Sequence, residues 1–120
     1  MAKIAVVEDN DAMREQLCGF IAQYARESGR QLDVTAFADG AEIVDPYRPG
    51  FDIIFLDIEM PTLGGMPTAE RIRQVDPNVV LVFVTNMAQY AIRGYEVDAL
   101  DFVLKPVSYY QFSTKLERAL

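Results

Sequence analysis

The sequence predicts an α/β domain built on a parallel sheet with helices on both faces. Three observations point to it. Short apolar runs alternate with stretches of helical period along the whole chain. Two of the runs, Ile53–Leu56 and Val79–Val84, are apolar without a break, the pattern of strands covered on both sides. The runs end abruptly in polar residues, with Gly or Pro close by. Five strand–helix alternations imply right-handed crossovers, which bring the carboxyl ends of all strands to one edge.

The first strand is Lys3–Val7, ending at Glu8-Asp9-Asn10-Asp11. Met13, Leu17, Phe20, Ile21 and Tyr24 then recur at helical spacing, between an N-cap at Asn10 or Asp11 and a stop at Ser28-Gly29. Leu32–Ala38 alternates partly and reads as a second strand, closed by Asp39-Gly40; a short helix follows over 41–47. The central strand Asp52–Leu56 leads to the loop Asp57–Gly65, and a helix runs from about Pro67 to Val75, stopped by Asp76-Pro77. After Val79–Val84 come Thr85-Asn86, a weaker helix over 88–95, a short strand at Phe102-Val103-Leu104, and Lys105-Pro106. The last helix, 109–120, has no capping glycine, which suggests one module of a longer protein.

A length of 120 residues fits one domain, and no apolar run approaches the roughly 20 residues of a membrane span. The first strand follows Met1-Ala2-Lys3 directly, so no leader peptide is expected. A lone cysteine, Cys18, on the buried side of a helix reads as packing, and a cytoplasmic location fits. A net charge of −7 argues against direct nucleic-acid contact. The chain has no histidine, which removes His-based metal sites, His-dependent triads and a phosphohistidine of its own. Chemistry is left to carboxylates, hydroxyls and lysine.

Those groups fall at the strand ends: Glu8-Asp9, Asp57, Thr85 and Lys105. Carboxylates this dense repel; at an effective dielectric near 20, two charges about 4 Å apart cost roughly 4 kcal/mol. Lys105 neutralises part of that, and a hard divalent cation with oxygen ligands, Mg²⁺ or Mn²⁺, suits the remainder. The acidic first loop is the opposite of a glycine-rich phosphate cradle and argues against nucleotide or flavin binding. An aspartate beside a cation, a lysine and a hydroxyl is equipped to become an acyl phosphate.

With Glu8-Asp9, Asp57, Met60-Pro61, Gly65, Thr85 and Lys105-Pro106 in this order and spacing, the chain resembles the receiver domain of two-component response regulators over its whole length. The resemblance implies a flavodoxin-like sheet of strand order 2-1-3-4-5, an order that is a general example for this fold class. It implies Asp57 as phosphoacceptor, and Mg²⁺ held by Asp9, Asp57 and the backbone carbonyl of Glu59, with Glu8 acting mainly through water. Thr85 and Lys105 would contact the phosphoryl group, Phe102 would be the switch aromatic coupled to Thr85, and Lys105-Pro106 would be cis. Tyr90–Phe102 is similar to receivers attached to LytTR-type DNA-binding domains. The implied partners are a sensor histidine kinase and, on phosphorylation, a second copy of the chain; a DNA-binding output domain would lie outside residues 1–120. Gly64 and Asn86 depart from the common pattern, and Asn86 bears on access to the phosphate. The aromatics Tyr90, Tyr95, Tyr109, Tyr110 and Phe112 read equally as packing of the last helices or as a dimer face. Two other readings are an aspartyl-phosphate hydrolase, for which Asp57-Ile58-Glu59 is a poor Asp-x-Asp motif, and an unphosphorylated docking module.

Overall fold

Strands β1 (Ala2–Val7), β2 (Leu32–Phe37), β3 (Ile53–Leu56), β4 (Val80–Thr85) and β5 (Asp101–Leu104) pair in parallel in the order β2-β1-β3-β4-β5. The computed structural model describes residues 1–120, the side chain of Ile92 excepted. The strand order implied by the resemblance is the one found.

The period-2 alternation of the inner strands divides the core in two. On one face Ile4, Val6, Ile53, Phe55, Val82 and Val84 pack on α1 (Asp11–Ser28) and α4 (Tyr109–Ala119), through Leu17, Ile21, Phe112 and Leu116. On the other face Ala5, Val7, Ile54, Leu56, Leu81 and Phe83 pack on α2 (Gly40–Val44) and α3 (Gly65–Val75), through Ile43, Met66, Ala69 and Ile72. Both faces of β3 are therefore covered, as its unbroken apolar run requires. Asn10 caps α1 by accepting from the Met13 N–H, and Gly29 ends it at φ 74°, where a side chain would be strained.

Most strand ends lie within one residue of expectation, and the larger or more telling differences have local causes. The helix expected over 41–47 ends at Val44, because Pro46 has no N–H to continue it and disfavours helical geometry at Asp45. Helix α3 starts two residues early, at Gly65, which leaves Pro67 in the first turn, where its missing N–H is not needed. The weak helix expected over 88–95 is two 3₁₀ helices, Ala88–Tyr90 and Ile92–Val97. The second contains Gly94 and ends at Asp98 in the left-handed region, φ 52°; tight, poorly bonded turns are what weak local propensity leaves. Strand β4 runs one residue further than its apolar stretch and takes in Thr85. The Lys105-Pro106 bond is cis as expected, and Asp45-Pro46 is cis as well.

Candidate functional site

The site residues are held by the sheet itself. Three of them continue the hydrogen-bond ladder past their strands: Glu8 N–H donates to the Phe37 carbonyl (3.0 Å), Asp57 N–H to Val7 (3.1 Å) and Lys105 N–H to Thr85 (2.9 Å). Their side chains thereby converge on the edge where all the strands end. One carboxylate oxygen from each of Glu8, Asp9 and Asp57 lies within 4.8 Å of the others. Lys105 Nζ donates to Glu8 Oε1 at 2.6 Å and to Asp57 Oδ2 at 2.9 Å. Asp57 Oδ1 accepts from the Ile58 N–H at 2.7 Å, which fixes the rotation of the carboxylate.

The electrostatics follow from burial. Glu8 is 1% exposed and Asp57 6%, whereas Asp9 is exposed. Burial pushes the Glu8 carboxyl above its ordinary range and the Asp57 charge adds to that, against hydrogen bonds from Lys105 and the Asn10 N–H. Burial also works against the Lys105 ammonium, but its bonds to Glu8 and Asp57 outweigh this and hold its pKa above the usual lysine value. Glu8 is the least exposed of the three acids and is in direct contact with the lysine. Arg14 is a second cation that the sequence reading passed over. Its guanidinium donates to the Glu8 backbone carbonyl (2.9 Å) and pairs with Asp11 (2.6 Å), tying the acidic loop to the first turn of α1. Its position three residues after Asp11, one helical turn on, was the available signal.

The set fits a hard cation. All the side-chain donors are carboxylate oxygens, and among the described residues the Glu59 carbonyl accepts no hydrogen bond and is free to serve as a further oxygen. An open cleft on the α1 side of Lys105 is lined by Asn10, Met13, Gln16, Asn86, Lys105 and Pro106.

Thr85 and Phe102 stand beside this centre rather than in it. Thr85 is fully buried and its hydroxyl accepts from the Met87 N–H at 3.2 Å; among the described residues it makes no bond to Asp57. Phe102 is half-buried, its ring 5.9 Å from that of Phe83. The aromatic end divides. Phe112 and Tyr109 pack on Phe20, at 5.7 and 5.6 Å between ring centres, and the Tyr109 hydroxyl donates to Glu27. Tyr95 and Tyr110 are 85% and 79% exposed.

The loop after Asp57 is packed tightly against its own strand end. A Cβ on Gly65 would lie 2.1 Å from the Asp57 carbonyl oxygen, and the Gly65 N–H donates to Ile58 at 2.7 Å. Gly65→Ala must therefore move backbone at the site, and we expect a loss of roughly 2 kcal/mol or more, read from urea unfolding. An unchanged midpoint would mean that the loop yields freely.

Fold and site together define a class: a parallel α/β domain presenting acids, a hydroxyl and a lysine on one sheet edge. Residues 4–117 match the family described as the response regulator receiver domain, and the chain belongs to that family. It is 32% identical, over 100% of its length, to an uncharacterised response regulatory protein of Vibrio cholerae, covering 49% of that protein. It is 32% identical to the sensory transduction protein LytT of Bacillus cereus, over 88% of this chain and 42% of that one. The chain thus spans less than half the length of these curated relatives. The non-phosphorylated receiver domain of HemR from Leptospira biflexa superposes with a TM-score of 0.86, at 30% identity, covering 99% of this chain and 94% of that one. The response regulatory domain of mrkE from Klebsiella pneumoniae gives 0.82 at 29% identity, covering 98% and 96%. The domain is of the phosphorylation-controlled receiver class of response regulators. No helix is long and apolar enough to cross a membrane among the described residues.

Proposed function

We propose that Asp57 accepts a phosphoryl group from the phosphohistidine of a sensor kinase, with Mg²⁺ bound by Asp9, Asp57 and the Glu59 carbonyl, Glu8 supporting it through water. The observation that carries this is the buried pairing of Lys105 with both Asp57 and Glu8 beside the exposed Asp9. When bound, the cation supplies positive charge at the phosphoryl oxygens, most of what such a transfer needs. A bond forms between an Asp57 carboxylate oxygen and phosphorus as the donor P–N bond breaks, and the imidazole, already protonated on its other nitrogen, leaves as the neutral ring. Lys105, already 2.9 Å from Asp57 Oδ2, then binds a phosphoryl oxygen. Water later attacks phosphorus and returns the free carboxylate, so the domain catalyses its own charging and discharge without turning over a substrate of its own.

The output is a change of packing. The new dianion draws the Thr85 hydroxyl away from Met87, the 3₁₀ segment loses that anchor, and Phe102 repacks into the space released. Exposed Tyr95, Tyr110 and Leu104 support a second copy of the chain as the partner that reads the change. In the full-length protein a DNA-binding output domain, of the kind LytTR-type receivers carry, would follow residues 1–120 and act on transcription.

Incubation with Mg²⁺ and a small-molecule phosphodonor is expected to add one phosphoryl group, seen by intact mass. No adduct at any donor concentration would favour the docking module, and rapid steady-state phosphate release the hydrolase. The metal has its own test. Melting is expected to shift upward with Mg²⁺, by the equivalent of about 2.7 kcal/mol when the free ion reaches a hundred times its Kd. Asp9→Asn should blunt that shift, and a melt indifferent to millimolar Mg²⁺ would rule the metal site out.

A further inference from the structure

The carboxylate of Asp39, outside the acidic cluster, does more than start a helix. Asp39 is the N-cap of α2, and for that role one bond suffices, from the Ala41 N–H to Oδ1 at 2.9 Å. Two further bonds go elsewhere. Oδ1 also accepts from the Leu63 N–H and Oδ2 from the Thr62 N–H, each at 2.9 Å. Thr62 and Leu63 belong to the loop that follows Asp57, so a side chain at the end of β2 holds the loop after β3.

Its surroundings confirm a built contact. Asp39 is only 9% exposed. A Cβ on Gly40 would lie 2.5 Å from the Leu63 carbonyl oxygen, so glycine there lets the start of α2 close on the loop. From the other side, the buried Thr68 hydroxyl donates to the Gly64 carbonyl at 2.8 Å. Beneath, Ile58 and Met60 are buried in the core. Glu59, between them in sequence, is thus fixed in backbone but hydrogen-bonded through neither of these contacts. Burial works to raise the Asp39 pKa, yet the three backbone N–H groups together hold it below the usual aspartate value, so it is a carboxylate throughout the neutral range.

We infer that Asp39 is a positioning residue for the cation, fixing the loop from Asp57 to Leu63 and with it the backbone carbonyl of Glu59. This rests on the reading of Asp57, Asp9 and Glu59 as ligands. Groups that orient metal ligands without touching the metal commonly change affinity by roughly 10–100-fold when removed.

Two variants separate this from simple helix capping. In Asp39→Asn one oxygen is replaced by an amide donor, so the Thr62 and Leu63 N–H groups cannot both be kept. Asp39→Ser retains a good N-cap but is too short to hold the loop. The control is Tyr47→Phe, which loses the Tyr47–Asp76 hydrogen bond (2.8 Å) and destabilises the same layer while keeping the ring and every hydrogen bond to the loop. Mg²⁺ affinity is measured by calorimetric titration below the melting temperature of each protein. We expect at least tenfold weaker Mg²⁺ binding for Asp39→Asn and Asp39→Ser, and wild-type affinity for Tyr47→Phe. Asp39 variants that melt lower yet bind Mg²⁺ as the control does would reduce Asp39 to a cap and overturn the inference alone. A wild-type domain that binds no Mg²⁺ would overturn it together with the metal site.

Discussion

Asp57→Asn is expected to remain folded and to take no phosphoryl group. Asparagine is isosteric, and its carbonyl oxygen can still accept from the Ile58 N–H that now bonds Asp57 Oδ1. The fold around it does not depend on the charge, because Asp57 is placed by its backbone bond to Val7 and by the unbroken apolar strand before it. What is lost is the nucleophile, since an amide oxygen does not form a stable phosphoryl adduct. Glu8 does not replace it: it is 1% exposed and bonded to Lys105 and the Asn10 N–H, whereas Asp9 is open to solvent but lies at the rim. The check is intact mass after incubation with phosphodonor and Mg²⁺, beside a melt showing cooperative unfolding. An adduct of wild-type yield on the variant would mean that another side chain is the acceptor.

Lys105→Met is expected to cost the most stability. Lys105 is the cation hydrogen-bonded to both Glu8 and Asp57, and its side chain is 19% exposed. Removing one partner from a largely buried cluster leaves carboxylates uncompensated, and roughly 3 kcal/mol is the expected loss. The pH dependence gives the sign. In the native protein the Lys105 pKa is raised, so its contribution is full below the ordinary lysine value and is lost as pH rises through the folded value. The Glu8 pKa is raised too, so the folded state favours the protonated acid, and the cost of the carboxylate grows as pH rises above its ordinary 4.5. Without the lysine that cost is larger. The deficit of the variant should therefore be greater near about pH 8 than near about pH 5, and added Mg²⁺ should recover part of it. Urea midpoints at the two pH values, with and without the ion, check both statements. A deficit independent of pH would mean that lost packing of the lysine stem, not charge, is responsible.

Most of the architecture was legible because burial and period agree. Ile53–Leu56 has no polar residue, and only a strand covered on both faces accommodates that; the Asn10 cap and Gly29 stop are equally local signals. The site was legible for a related reason: polar residues ending apolar strands of a parallel sheet must meet at one edge. What could not be read depends on contacts distant in sequence. Asp39-Gly40 reads as the close of the second strand, and nothing local says that two of the Asp39 carboxylate's three bonds reach 23 and 24 residues ahead. The 3₁₀ segment has weak propensity either way. Its end is set by Arg73, which donates to the carbonyls of Val97 (2.6 Å) and Asp98 (3.1 Å) from α3. The aromatics at the end of the chain share one composition, yet Phe112 faces the core and Tyr110 faces solvent, because helical phase and not residue type decides.

The most direct test of the account is to locate the phosphoryl group. Borohydride reduction of the charged domain converts an acyl phosphate to an alcohol, marking an aspartate as homoserine for peptide sequencing by mass spectrometry. The account predicts homoserine at position 57 alone, dependent on Mg²⁺ during charging. Homoserine at position 9 with Asp57 intact, or a phosphoryl group on Thr85, would contradict it.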